Sequence, residues 1–125
     1  MEKKNQKILY EKIGTTWCPT LKEYITFNRL GFQHLLRKRG IPRTKEEQER
    51  RFALLPFVKE IVGDPHAKFR YQKKTSFSRV DRHHKTIRAS NNAEFWKLSK
   101  EINGKTINVV VRKINRGKKH FFSVY

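Results

Sequence analysis

What this sequence lacks narrows it first. It has a single cysteine, Cys18, so no internal disulfide can form and nothing points to an oxidising compartment. Lying between Trp17 and Pro19, that thiol reads as structural, with a nucleophilic role as the alternative. No apolar stretch approaches the ~20 residues of a membrane span. The opening "MEKKNQKILYEKIG" carries lysines but no apolar run suited to a signal peptide, so the expected location is cytoplasmic, with no membrane partner. Acidic residues are scarce and concentrated in "KEEQER". No carboxylate pair suggests two-metal nuclease chemistry, so any phosphodiester cleavage is expected to proceed without metal or other cofactor. A glycine-rich phosphate loop and a serine triad are also missing from the pattern.

What is present is positive charge. Lys and Arg number 30 against 11 Asp and Glu, a net charge of +19. Self-repulsion on that scale costs stability and makes sense beside a polyanion, with nucleic acid the first candidate. The basic residues are spread along the chain rather than gathered on one amphipathic helix, which disfavours a membrane surface. Hydrophobic residues make up 36%, but aromatics supply 12%, enough large rings for a small core.

The first half, to about residue 65, reads as helical. Asn28 caps a helix carrying Leu30, Phe32, Leu35 and Leu36 towards Gly40. "EYITF" before it reads as a short strand or a lead into that helix. Thr44 and Glu47 form a capping box for a second helix through Phe52, Leu55, Val58 and Val62, with a kink or break expected at Pro56. From about residue 66 the chain reads as strands: "AKFRY", then "EFWKLSKEI" and "KTINVVVRKI" about an Asn103-Gly104 hairpin turn, then "HFFSVY". The basic stretch "KKTSFSRVDRHHKTIRASNN" reads either as a loop or as an extra strand. The expected fold is a single α+β domain, with N-terminal helices packed on one face of a C-terminal antiparallel β-sheet.

The turn predicts a register. Pairing Ile102 with Lys105 sets Leu98 against Val109 and Trp96 against Val111. A four-residue turn at 115–118 would then place Phe122 opposite Val111 and Val124 opposite Val109. One face collects Trp96, Leu98, Ile107, Val109, Val111, Phe122 and Val124, to be covered by helices. The other collects Lys97, Ser99, Asn108, Arg112, Phe121, Ser123 and Tyr125. That open face resembles a phosphate and base platform, since cations neutralise phosphate, hydroxyls hydrogen-bond it and rings stack on unpaired bases. An ordinary solvated sheet face with protective lysines is the alternative.

Among the histidines, His34 has Arg37 and Lys38 three and four residues further on, and neighbouring cations keep an imidazole neutral and able to accept a proton. A surface histidine on a basic helix is the plainer reading. His83 and His84 are adjacent, so on a strand they cannot chelate one metal; they stand as alternative catalytic residues or loop histidines. His120 is expected on the helix-covered side, in a structural role.

In order, "QHLLRKRGIPRTKEEQERRFALLPFVKEIVGDP", "NGKTINVVV" and "HFFSVY" resemble the colicin D catalytic domain. More broadly they resemble the barnase, EndoU, colicin and RelE-like ribonuclease superfamily, including its phage-associated members. The resemblance covers about Tyr24 to Tyr125. It implies RNA bound on the sheet face away from the helices and metal-independent cleavage of tRNA or ribosome-associated RNA by 2′-hydroxyl attack, as in an endoribonuclease toxin. By position it implies His34 as general base, Ser123 as a phosphate-positioning residue and Tyr125 as a base stacker. Arg112, with Arg37 or Lys38, would stabilise the phosphorane. Arg39, Lys97, Asn108, Lys73 and Lys74 would contact RNA, and an acidic immunity or antitoxin protein would cover the basic face. The lysines that precede the histidine in colicin D are absent here, which leaves Arg29 or the cations at 37–39 to substitute. The basic segment from Lys73 to Asn92 has no counterpart and could bring His83 or His84 to the site. Two rivals use the same residues: a non-catalytic RNA-binding protein, and a DNA-binding helix-turn-helix over "LGFQHLLRKRGIPRTKEEQERR". The acidic residues of that second helix, Glu46, Glu47 and Glu49 early and Glu60 further on, argue against placing it in a groove.

Overall fold

The computed structural model describes residues 3–38, 40–82 and 85–125, with side chains described for 6–38, 40–74 and 92–125. Three helices, α1 (Lys3–Ile13), α2 (Arg29–Leu36) and α3 (Lys45–Val62), accompany eight strands. These are β1 (Thr15–Cys18), β2 (Glu23–Thr26), β3 (Arg37–Lys38), β4 (Ile41–Pro42), β5 (Lys68–Arg82), β6 (Lys85–Ile102), β7 (Lys105–Ile114) and β8 (His120–Val124). Six of them form one sheet in the order β1-β2-β8-β7-β6-β5, while β3 and β4 make a small separate hairpin.

The fold is α+β as expected, but the sheet is mixed. The first half supplies two strands as well as helices, and β2 joins β8 in parallel through Thr26 and His120. The local signals explain most elements. Asn28 Oδ1 accepts from the Gly31 N–H (3.1 Å) to start α2, and Thr44 Oγ1 accepts from the Glu47 N–H (3.2 Å) to start α3. The Glu47 carboxylate takes Arg50 and Arg51 instead of reaching back to the cap amide. α3 runs unbroken through Pro56. Between α2 and α3 lies the β3–β4 hairpin rather than the tight turn of a helix-turn-helix.

Asn103 and Gly104, at φ 52° and 79°, make the turn that sets the β6–β7 register, with Ile102, Leu98 and Trp96 opposite Lys105, Val109 and Val111 as expected. The β7–β8 register departs from expectation. Val109 and Val110 face Val124 and Ser123, but Val111 faces Phe121 and Arg112 faces His120, so the ladder slips at Phe122. One extra residue reverses which ring faces which way. Phe121 is fully buried in a cluster with Tyr10 and Phe27, at ring distances of 5.8 and 5.2 Å, and Phe122 turns to the opposite side.

The core lies between α3, α2 and one sheet face, built from Ile25, Leu35, Phe52, Leu55, Val58, Leu98, Val109, Val111, Phe121 and Val124. Gly31 is what lets α2 come down on β8. A Cβ there would sit 2.5 Å from the Phe121 carbonyl oxygen and 2.6 Å from the Tyr10 hydroxyl. That close approach holds α2, and His34 with it, against the last strand. Among the described residues, no helix is long and apolar enough to cross a membrane.

Candidate nucleic-acid interface

Side chains from four strands build the open sheet face. Alternation along β5 turns Arg70, Gln72 and Lys74 to this side, β6 adds Phe95 and Lys97, β7 adds Val110, and β8 with the residue after it adds Phe122 and Tyr125. Together they line a shallow groove of about 290 Å³. Its rings are linked: Phe95 meets Phe122 edge-on at 5.5 Å, and the Lys74 ammonium lies 5.8 Å from the Phe95 ring. Tyr125 is 43% exposed. Among the described residues, none of Arg70, Lys74, Lys97 or Arg112 is ion-paired with a carboxylate.

At one end of the groove Phe122 carries two further groups. The His34 ring lies against it at 4.1 Å, and the Arg112 guanidinium sits 4.3 Å above its centre. Arg112 Nε donates to His120 Nε2 at 2.9 Å, so His120 is the tautomer with its proton on Nδ1. His120 therefore belongs to this side and not to the helix-covered one, because the slip at Phe122 carries it across with Arg112.

Burial, with neighbouring cations, disfavours the charged form of both imidazoles. The pKa of His34 is pushed down to about 4, first by burial and then by Arg43, Arg51, Arg112 and Lys38. His120 is also lowered, mainly by burial, with Arg112 adding to the effect. Burial lowers the Arg112 guanidinium too, and among the described residues no carboxylate pairs with it. Such a group is a ready partner for an anion.

Ser123 stands opposite Val110, as the turn predicts, but it is buried rather than exposed. It is 5% exposed, and its hydroxyl accepts from Arg51 Nη1 at 2.8 Å. The same Nη1 donates to the Val124 carbonyl at 2.9 Å, and Arg51 Nε donates to Glu47. The register explains the carbonyl. Asn108 and Tyr125 exchange both backbone hydrogen bonds (2.7 and 2.9 Å), so Val124, one residue earlier, points its carbonyl away from β7. Arg51 fills that position, beyond the single register pair that β2 makes with β8.

The structure thus brings His34, Arg112, Lys97, Lys74 and Tyr125 to one surface. Asn108 lies at its margin, its Oδ1 accepting from Ser99 Oγ at 2.7 Å. Lys73 falls on the opposite face by alternation, with Tyr71 and Trp96. Arg37 and Lys38 are exposed on the β3–β4 hairpin, where Arg37 Nη1 donates to the Gly40 carbonyl at 3.3 Å. Arg39, His83 and His84 lie outside the described residues. Sequence reasoning missed Arg70, Gln72, Phe95, Phe122, His120, Arg43 and Arg51. Alternation with Lys97 along β6 would have found Phe95, and extending that register to "AKFRYQKK" Arg70 and Gln72, whereas nothing local signals the slip at Phe122.

Comparison with protein-family models, curated proteins and solved structures finds no match to this chain. The resemblance to colicin D-like ribonucleases rests on the order of its motifs alone.

Proposed function

We propose that this protein binds single-stranded RNA in the open-face groove and cleaves it without metal, as a ribonuclease toxin acting on tRNA or ribosome-associated RNA. One observation carries the reading: a neutral histidine, a half-buried arginine with no carboxylate partner among the described residues and an aromatic, cationic groove all meet at Phe122. Bases stack on Phe95, Phe122 and Tyr125, while Arg70, Lys74 and Lys97 neutralise the backbone. A phosphate at the Phe122 end lies against Arg112. His34 takes the proton of the adjacent 2′-hydroxyl, O2′ bonds to phosphorus, and the P–O5′ bond breaks. The products are a cyclic phosphate and a 5′-hydroxyl whose proton comes from solvent. Arg112 stabilises the charge that gathers on the phosphorane oxygens. Ser123 acts at one remove, through the Arg51 tether. An acidic inhibitor protein is the natural complement of this face.

A non-catalytic RNA-binding role is the second reading, and one observation favours it. His34 Nδ1 is buried with no hydrogen-bond partner among the described residues. A histidine whose second nitrogen has an acceptor is a stronger base than one without. The deciding experiment incubates wild-type and His34→Ala protein with total tRNA and ribosomal RNA in EDTA. Fragments with cyclic-phosphate ends that vanish in the variant support cleavage by His34. Fragments that persist in the variant remove His34 from the role, and tight binding without fragments leaves the binding module.

A further inference from the structure

The aromatic residues of the first hairpin take no part in the groove, yet they lie on the same face of the sheet. β1 and β2 bury Thr16, Cys18 and Ile25 towards the core and turn Trp17 and Tyr24 outward. These two stand directly opposite each other, their rings edge-on at 5.0 Å, and remain 47% and 62% exposed. Register identifies the face, because directly paired residues share one side of a sheet. Phe95, Arg112, His120, Thr26 and Thr15 are paired in turn, a row that crosses from β6 to β1. Trp17 and Tyr24 lie two residues from that row, on the same side as Thr15 and Thr26. They are across the row from Lys97 and Val110, so Arg112 stands between them and the body of the groove.

Charge follows the same alternation. β2 and β8 are parallel at Thr26 and His120, so stepping back two residues on each sets Lys118 beside Tyr24. Lys118 is exposed, and among the described residues no carboxylate pairs with it. Glu23 is the one acid between Thr15 and Thr26. It shares the opposite face with Ile25, where Lys119 Nζ donates to its Oε1 at 2.5 Å. The hairpin therefore shows two rings and a cation to the open side and keeps its acid away from it. At ~3.4 Å per residue and ~4.8 Å between strands, the Tyr24 Cα is about 8 Å from that of His120. A cross-strand aromatic pair stabilises a hairpin on either face. That role alone accounts for neither the cation beside the rings nor the row that leads from them to Arg112.

We infer that Trp17 and Tyr24 form a second stacking site for single-stranded RNA, on the far side of Arg112 from the aromatic groove. The inference rests on the reading that the open face binds single-stranded RNA. Phe95, Phe122 and Tyr125 hold bases on one side of the phosphate at Arg112. Trp17 and Tyr24 hold a base on the other side, with Lys118 against the backbone between. Every base has a π-face, so this second site adds affinity and fixes the path of the strand without adding sequence preference. A strand held at both ends keeps the phosphate between them in place, which is the positioning that 2′-hydroxyl attack requires.

The test uses the full chain and a single-stranded 2′-O-methyl RNA of about 12 nucleotides, which has no free 2′-hydroxyl to attack phosphorus. Trp17 and Trp96 are the two tryptophans, so in a Trp96→Phe background fluorescence reports Trp17 alone. Binding should quench it. Trp17→Leu and Tyr24→Leu should each weaken binding at least about fivefold, the lower end of what one stacked base contributes. Trp17→Phe and Tyr24→Phe, which keep a ring, should restore most of that loss. Circular dichroism checks the fold of each variant, and the quenching needs no change to the hairpin if the leucine variants do not fold. Binding with no quenching and no loss in the leucine variants, while Phe122→Ala weakens it, overturns the second site and leaves the groove standing. Phenylalanine variants as weak as the leucine ones also overturn it, since the loss then comes from hairpin packing. A wild-type protein that binds no oligonucleotide overturns the open-face reading and the second site with it. Equal quenching by polyglutamate overturns stacking and makes the patch a docking site for an acidic protein.

Discussion

Replacing Arg51 with methionine keeps the aliphatic stem of a residue whose side chain is 11% exposed and removes only its guanidinium. Two acceptors then lose their donor: the Ser123 hydroxyl, in a residue 5% exposed, and the carbonyl of the fully buried Val124. Hydrogen bonds to a charged group are each worth about 1.5–3 kcal/mol, and a buried acceptor left unpaired costs most of that. Water reaching the β8 edge recovers part, and the Glu47 carboxylate keeps Arg50. The net expectation is a loss of about 3 kcal/mol, a large share of the ~5–15 kcal/mol typical of a domain. Urea unfolding followed by circular dichroism reads it directly. Ser123→Ala leaves Arg51 its bonds to Val124 and Glu47, so it should cost only about 1 kcal/mol. Made together, the two changes should cost less than their sum by about 1 kcal/mol, because both delete the same bond. A loss below about 0.5 kcal/mol for Arg51→Met, or strict additivity, refutes the tether. The experiment also separates two roles for Ser123. A serine that touches the reacting phosphate would lose cleavage on truncation with no change in stability.

Three further outcomes follow from the same geometry. Phe121→Ala should cost about 3–5 kcal/mol in urea unfolding, whereas Phe122→Ala should cost clearly less but weaken single-stranded RNA binding by about 1–3 kcal/mol; equal stability losses would contradict the slipped register. Gly31→Ala should destabilise by about 1–3 kcal/mol, because its methyl meets the Phe121 carbonyl and the Tyr10 hydroxyl and α2 must lift from β8; an unchanged unfolding midpoint would show that the approach is looser. His34 takes up its proton near pH 6.5 when unfolded but only near pH 4 when folded, so the unfolded state binds the proton first. Stability is therefore untouched above about pH 6.5 and falls as pH drops towards 4. His34→Phe should flatten that fall, and an unchanged pH–stability curve would place the imidazole in water.

The sequence by itself determined what depends on neighbours along the chain. Asn28 and Thr44 mark their helix starts because a side-chain oxygen meets an amide three residues on. Asn103 and Gly104 fix the β6–β7 ladder because both adopt positive φ, and one turn then propagates its register along two strands. The charge of +19 and the aromatic count raise the expectation of a polyanion partner. Tertiary structure decided the rest. Whether Phe121 or Phe122 enters the core depends on a single extra residue in β8, which packing against Tyr10 and Phe27 selects and which "HFFSVY", apolar on both sides, leaves open. That slip moves His120 beside Arg112, and contact with Arg51 of α3 buries Ser123, which keeps its expected place opposite Val110. The parallel pairing of β2 with β8 spans most of the chain, and no local pattern specifies so distant a partner. The cations that disfavour the charged form of His34 come from α3, β7 and the β3–β4 region, and burial is the largest single cause. Propensity and turn chemistry act over a few residues, whereas desolvation and strand partnership exist only once the chain has closed on itself.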